Sequence, residues 1–246
     1  MSPDRRKHRG PHPEDRILFA DPWIPVLRTA VTELSWLLSR DYPPRSSLKL
    51  VGDRHGLRER QRTAVGRSAC SDGALNDRLQ HRVETDAVNG EAVAVDGFNV
   101  IVSVEAALAD GIILRCRDGT LRDMASVHGS YRQVDETRRA VALIAEALTA
   151  LAPGNTLWLL DRPVSNSGRL AKIVNAEAAR RGLDWTVELV NDPDTLLKAS
   201  DCIVATSDSA VLDHCGRWLS LTRLVIDTYI SDAWMIDLNT ADQPPN

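Results

Sequence analysis

Aspartates stand directly after short apolar runs at several points in this chain. They occur in Val95-Asp96-Gly97-Phe98-Asn99, in Leu160-Asp161-Arg162-Pro163 and in Ala205-Thr206-Ser207-Asp208-Ser209, with Asp213 a little further on, and Asp227 follows Leu224-Val225-Ile226. If the apolar runs are parallel strands of one sheet, their strand-to-helix loops all emerge at one edge, and the acids meet there. Like charges gathered in this way raise one another's pKa unless a cation sits between them; for all-oxygen donors the matching cation is Mg²⁺ or Mn²⁺. Each acid also has a plainer role, since Asp208 can cap a helix beginning at Ser209 and Asp161 can pair with Arg162. Taken together, Asp96, Asn99, Asp161 and Asp208 read as a metal-binding cluster.

Two further stretches carry polar chemistry. In Asp161–Lys172 an apolar run passes through Ser165-Asn166-Ser167-Gly168 into a helix, so amides, hydroxyls and the helix dipole face one spot suited to a phosphate. Arg162, Arg169 and Lys172 supply the counter-charge. An ordinary capped turn reads equally well, and no Walker loop is present. The stretch 114–132 holds Arg115, Arg117, Arg122 and Arg132 beside Asp118, Asp123, His128 and Tyr131. It is read as a nucleic-acid backbone contact, through Arg117 above all, or as internal ion pairing, with His128 as a general base. Cys70, Cys116, Cys202 and Cys215 are widely spaced, so neither a disulfide framework nor a thiolate zinc site is indicated, and the neighbours His214 and Cys215 point apart on a helix.

The elements that must position these groups follow from periodicity. Residues 1–16, with three prolines and many charges, read as a flexible basic arm. Trp23, Val26, Leu27, Ala30, Val31, Leu34, Leu37 and Leu38 recur at helical spacing up to the break at Pro43-Pro44. Residues 47–56 read as a connection and 57–67 as a second, basic helix, so that 17–70 form a basic helical domain. Residues 71–90 form a linker or a peripheral helix. From 91 to 230, apolar strands at 92–95, 112–115, 156–160, 185–190, 202–205 and 224–226 alternate with helices at about 134–151, 168–181, 192–198 and 209–219. This order implies an α/β domain with a mostly parallel sheet covered on both faces. Residues 231–246 read as a C-terminal tail.

A chain of 246 residues, 43% of them hydrophobic, can bury a substantial core, which excludes disorder as its dominant state. Aromatic content of 4% argues against extended base-stacking platforms. No apolar run is long enough for a membrane span, so a cytoplasmic protein is expected, and self-association into a homodimer stays open. Residues 1–70 hold 14 Lys and Arg against 8 Asp and Glu, and the remainder 16 against 26. A basic head on an acidic body suggests that the first part meets an anion such as a nucleic acid.

Asp96-Gly97-Phe98-Asn99 after one strand and Ala205-Thr206-Ser207-Asp208-Ser209 after a later one resemble the opening D-x-x-N and the late S-x-D-S of PIN-like nucleases, in particular their NYN branch. The whole chain resembles an uncharacterised prokaryotic family in which a head, the domain of unknown function 434, precedes a PIN-like body. Trp36–Arg40, Leu48–Arg54, Val95–Asn99 and Leu160–Gly168 carry that resemblance. It implies a Rossmann-like sheet and hydrolysis of RNA phosphodiesters with a divalent cation. Asp96 and Asp208 would be ligands and Asn99 would orient Asp96. The chain departs from the NYN pattern at Ala210, where a further acid is usual and Asp213 would have to substitute. The acid of an early helix has three candidates, Glu105, Asp123 and Glu136. A catalytically degenerate relative that binds RNA or a nucleotide is the alternative. A phosphotransferase using Asp96 as nucleophile lacks its usual partners, since Phe98 and Val100 stand in their place.

Overall fold

The structure, a computed structural model, describes residues 8–125 and 131–240. His128, residues 1–7 of the arm and residues 241–246 of the tail lie outside the described residues. The chain opens with five helices: α1 (Asp15–Leu18), α2 (Ile24–Leu38), α3 (Pro44–Arg54), α4 (Glu59–Ser68) and α5 (Asp72–His81). Of the periodic apolar residues of α2, Leu27, Ala30, Val31 and Leu34 are buried and Val26, Leu37 and Leu38 are half-buried against the same core. Residues 47–56, expected as a connection, are mostly helix α3: Pro44 starts it, because a missing N–H costs nothing in the first turn of a helix. The segment 71–90 likewise contains α5, its first turn capped by the Ser71 hydroxyl accepting from the Ala74 amide.

Strand β1 (Ala92–Asp96) runs straight into α6 (Gly97–Leu108). They are followed by β2 (Ile113–Arg115), β3 (Leu121–Asp123), α7 (Thr137–Leu151), β4 (Asn155–Asp161) and α8 (Ser167–Arg181). Then come β5 (Trp185–Val190), α9 (Pro193–Lys198), β6 (Ile203–Ala205), α10 (Ser209–Leu212), β7 (Trp218–Leu219), α11 (Leu221–Tyr229) and β8 (Met235–Asp237). The main sheet has the order β5-β4-β1-β6-β7, parallel throughout. Alternation along its central strands feeds two cores. Val93, Val95, Trp158, Leu160, Ile203 and Ala205 face the layer of α6, α7, α8 and α11. Ala94, Leu159 and Val204 face α9 and α10. From β1 the chain winds first towards β4 and β5 and later back towards β6 and β7. The β1–β6 boundary is therefore the topological switch point of the sheet.

A smaller sheet, β3-β2-β8, joins head to body. Ile113 of β2 points into the body's core, while Ile112, Leu114, Ile236 and Leu238 belong to the core of the helical head. The tail is thus corrected in part: Met235–Asp237 pairs in parallel with β2 because its apolar centre, Ile236, is needed under the head. The arm is corrected too for residues 8–12. Arg9 ion-pairs with buried Glu105 and lies 5.0 Å from the centre of the Tyr131 ring, and His8 bonds Glu136 at 2.6 Å.

Two expected elements change type. Leu224-Val225-Ile226 lies in helix α11, whose buried residues Leu221, Thr222, Val225 and Ile226 have helical spacing, so Asp227 ends no strand. The helix expected over 209–219 stops at Leu212, and Trp218-Leu219 become the edge strand β7. Among the described residues no helix is long and apolar enough to cross a membrane.

Candidate functional site

Asp96 is both the last residue of β1 and the cap of α6. Its Oδ1 accepts from the Asn99 amide at 3.4 Å. The turn can be this tight because residue 97 is glycine: a Cβ there would come within 2.5 Å of Leu160 Cδ2 and 3.0 Å of the Leu159 carbonyl oxygen. On the other side of the switch point, the Thr206 hydroxyl donates to Asp96 Oδ2 at 2.8 Å. Asn99 Oδ1 accepts from both the amide (2.8 Å) and the hydroxyl (2.9 Å) of Ser207. The two motifs seen in the sequence are therefore stapled to each other, strand end to strand end. The Asp208 amide donates to Thr206 Oγ1 at 3.1 Å. Its side-chain Oδ1 accepts from the Ala210 and Val211 amides at 2.7 and 3.2 Å. Asp208 caps α10, as the plainer reading had it, and Oδ2 takes no part in those bonds.

The electrostatics set this corner apart. Asp96 is 7% exposed, and its carboxyl is pushed up to about 7. Burial is the main cause; the Thr206 hydrogen bond opposes it, and the charges of Asp208 and Asp194 add to it. Asp161, at the end of β4, is raised by burial and then by Asp194 and Asp192. Asp194 itself is raised by burial and by Asp208, against the pull of Lys198. The charges of Asp208 and Asp194 thus act on Asp96, that of Asp208 on Asp194, and that of Asp194 on Asp161. Asp194 was missed in the sequence because Asp192-Pro193-Asp194 reads as the start of a helix. The signal was nevertheless present, an acid just past the end of an apolar strand, Trp185–Val190. Among the described residues, no three His, Cys, Asp or Glu side chains converge closely enough to hold a metal ion.

Other expected site residues have different employment. Asp213 lies 2.6 Å from Arg78 in an ion pair, and so turns to the head rather than to Asp96. Arg117 donates to the Cys70 carbonyl at 2.7 Å and to Asp72 at 2.5 Å, which ties α5 to the body. Among the three acids considered for an early helix, Glu105 is fully buried and accepts from Tyr131 (2.6 Å) and Arg9. Glu136 meets His8, and Asp123 accepts from the Ser103 hydroxyl at 2.6 Å. In the loop after β4, the Arg162 side chain donates to the Leu189 carbonyl at 2.6 Å. Asn166 takes a left-handed φ of 66° and donates to the Tyr131 carbonyl at 2.8 Å. Ser167 is buried, while Ser165, Arg169 and Lys172 are exposed at the same sheet edge as Asp161. A cleft of about 520 Å³ opens beside Asp208, between α4 and α6, lined by Arg67, Asn99, Arg122, Asp123, Ser207 and Ala210 among others.

The chain is similar to an uncharacterised protein of Methanocaldococcus jannaschii. The two are 28% identical over 186 residues, covering 76% of this chain and 88% of that protein. No solved structure gives a significant match. A protein family of unknown function, DUF434, matches residues 26–81, which take in α2 to α5. The domain of unknown function DUF5616 matches residues 85–224, from the turn before β1 into α11. By that match over more than half of its length the chain belongs to the DUF5616 family, with a DUF434 segment as its helical head.

Proposed function

We propose that this protein is a divalent-cation-dependent ribonuclease with a PIN-like, NYN-type body, and that the carboxylates at the switch point form its active site. One observation carries the reading. A buried carboxylate, Asp96, stands at the strand edge where α/β folds bind ligands, next to Asp208 and Asp194, and makes no ion pair among the described residues. Such a charge is stable only if it is protonated or if a cation joins it. The donors match Mg²⁺ or Mn²⁺ in kind, being carboxylate oxygens with the Thr206 hydroxyl beside them. Asp96 and Asp208 would hold the cation, with Asp194 and Asp161 close behind. The Oδ2 atom of Asp208, outside the capping bonds, is the natural first contact.

A cation held by Asp96 and Asp208 would supply Lewis-acid stabilisation for hydrolysis of a phosphodiester. The residues of the chain do the rest. Asn99 and Thr206 fix the two turns, and burial keeps Asp96 in a setting where its charge acts strongly. Arg169 and Lys172, on the first turns of α8, lie at the edge along which an RNA strand would run. Binding through phosphates makes affinity fall steeply with salt.

The test is Mn²⁺-dependent cleavage of single-stranded RNA by Asp96→Asn and Asp208→Asn. Both variants are expected to fold and to lose cleavage, and full activity in both would reject this centre. The capping role of Asp208 also supports a second reading, an RNA-binding relative without cleavage. RNA affinity unchanged by EDTA, with no RNA cut by the parent protein, would select it.

A further inference from the structure

Behind the proposed site lies an ion network that its chemistry does not use. Arg78 of α5, Asp118 of the β2–β3 turn and Arg122 of β3 are 2%, 1% and 8% exposed. One oxygen, Asp118 Oδ2, accepts from Arg78 Nη1 and from Arg122 Nη2, each at 2.6 Å. The other, Oδ1, accepts from the Thr120 amide and hydroxyl at 3.1 and 2.6 Å. Two cations on one anion leave an excess charge, and Asp213 balances it through Arg78 Nε at 2.8 Å.

What the two guanidiniums reach with their remaining N–H groups gives the network its direction. Arg122 Nε donates to the Ser207 carbonyl at 2.7 Å, and Arg78 Nη2 to the Ser209 carbonyl at 3.4 Å. Together with Asp213 these are three points on one short turn, and Asp208 stands in its middle. The network also reaches the head at α4 and the body sheet at β7. Arg122 Nη1 donates to the Arg67 carbonyl at the end of α4 (2.6 Å), and the Arg78 carbonyl accepts from the buried Trp218 indole at 2.7 Å.

We propose that Arg78 and Arg122, joined by Asp118, are positioning residues that hold the Ser207–Asp213 turn, and with it Asp208, against the helical head. The head then acts on the site from behind, through two forked side chains. Only a guanidinium can do this at Arg122, because three acceptors in different directions need N–H groups on separate nitrogens; an ammonium offers one compact point charge. The consequence for activity rests on the ribonuclease reading, whereas the positioning does not.

The experiment compares the full-length parent with Arg122→Lys and Asp213→Asn. Amide hydrogen exchange is followed in 206–213 and, as internal control, in α7. Mn²⁺ affinity is measured by titration with the metal alone, and RNA cleavage is resolved into kcat and KM. In Arg122→Lys, exchange in the turn should rise about tenfold or more, with that of α7 unchanged. Mn²⁺ affinity should fall about 10- to 100-fold, as on loss of a group that orients a ligand, and the activity loss should appear in kcat rather than KM. Asp213→Asn, at an exposed carboxylate, should shift the same readouts in the same direction by less, and it decides the matter should Arg122→Lys fail to fold. Exchange in 206–213 that matches the parent's, or that rises equally in α7, overturns the proposal. A parent that binds no Mn²⁺ and cuts no RNA removes the ribonuclease reading, while the exchange comparison still decides the positioning.

Discussion

Asp118 and Asp96 are buried almost equally, 1% and 7% exposed, yet they are held at opposite ends of the carboxylate range. In both, burial works towards the neutral acid. At Asp118 the guanidiniums of Arg122 and Arg78 outweigh it and hold the group at about 2. At Asp96 the Thr206 hydrogen bond opposes it too weakly, while Asp208 and Asp194 reinforce it, and the group rises to about 7. Burial alone therefore says little about what a carboxylate is for. One whose charge is already matched stays ionised as part of the frame, and one placed among other carboxylates is held towards its protonated form.

Substitutions that erase the charge should separate the two most strongly at Asp118. Asp118→Asn leaves two buried guanidiniums with only the partly exposed Asp213 to balance them, and breaking such a pair from one side costs about 3–5 kcal/mol. Chemical denaturation at neutral pH should show this loss with an unchanged m-value. A loss under about 1 kcal/mol would mean that the network is loosely held.

At Asp96 the sign reverses. Its folded pKa lies above the unfolded value of 3.8, so its contribution to stability is complete below that value and is lost as pH rises through about 7. Asp96→Asn never ionises and keeps it. In EDTA at about pH 8.5 the variant should thus be more stable than the parent by roughly 2–4 kcal/mol, and the gain should vanish near pH 4. Thermal melts at the two pH values check this. Destabilisation by Asp96→Asn at high pH would show that Asp96 belongs to the frame after all.

How much of this contrast could be read in the sequence depends on how far its residues lie apart. Strands β1, β4 and β6 were legible because each is a short, largely buried apolar run, and β5, at the sheet edge, because its half-buried apolar residues alternate with exposed Thr186 and Glu188; the ends of the first three located Asp96, Asp161 and Asp208. Helix α6 was not, since Val100, Ile101, Val102 and Val104 give it the composition of a strand; its capping residue, Asp96, decides the matter. In α11 three apolar residues in a row suited either element until the buried positions one turn earlier were known. The guanidinium network joins residues 40 and 135 positions apart, and no spacing rule links Arg78 to Asp118 or Asp213. Asp213 was accordingly assigned to the wrong group of acids, and Asp194 to none.

The charge on Asp118 also predicts a titration of its own. Its folded pKa of about 2 lies below the unfolded value of 3.8, so it stabilises the fold above that value and loses its effect as pH falls towards 2. The difference in stability between the parent and Asp118→Asn should shrink by about 2 kcal/mol over that window. A difference independent of pH would assign the effect to shape rather than charge.

A third kind of carboxylate sets the baseline for both. Asp227 is exposed on the last turn of α11 and pairs with Arg223 one turn earlier at 3.2 Å. Solvent screens the pair, and a negative charge near a helix C-terminus opposes the dipole, so the two small effects offset each other. Asp227→Asn should therefore change stability by less than about 0.5 kcal/mol at any pH and leave RNA cleavage as it was. Had Leu224-Val225-Ile226 been a strand ending at the proposed site, the same substitution would be expected to remove the proposed cleavage, so loss of that cleavage in Asp227→Asn would speak against an acid carried away from the switch point by α11.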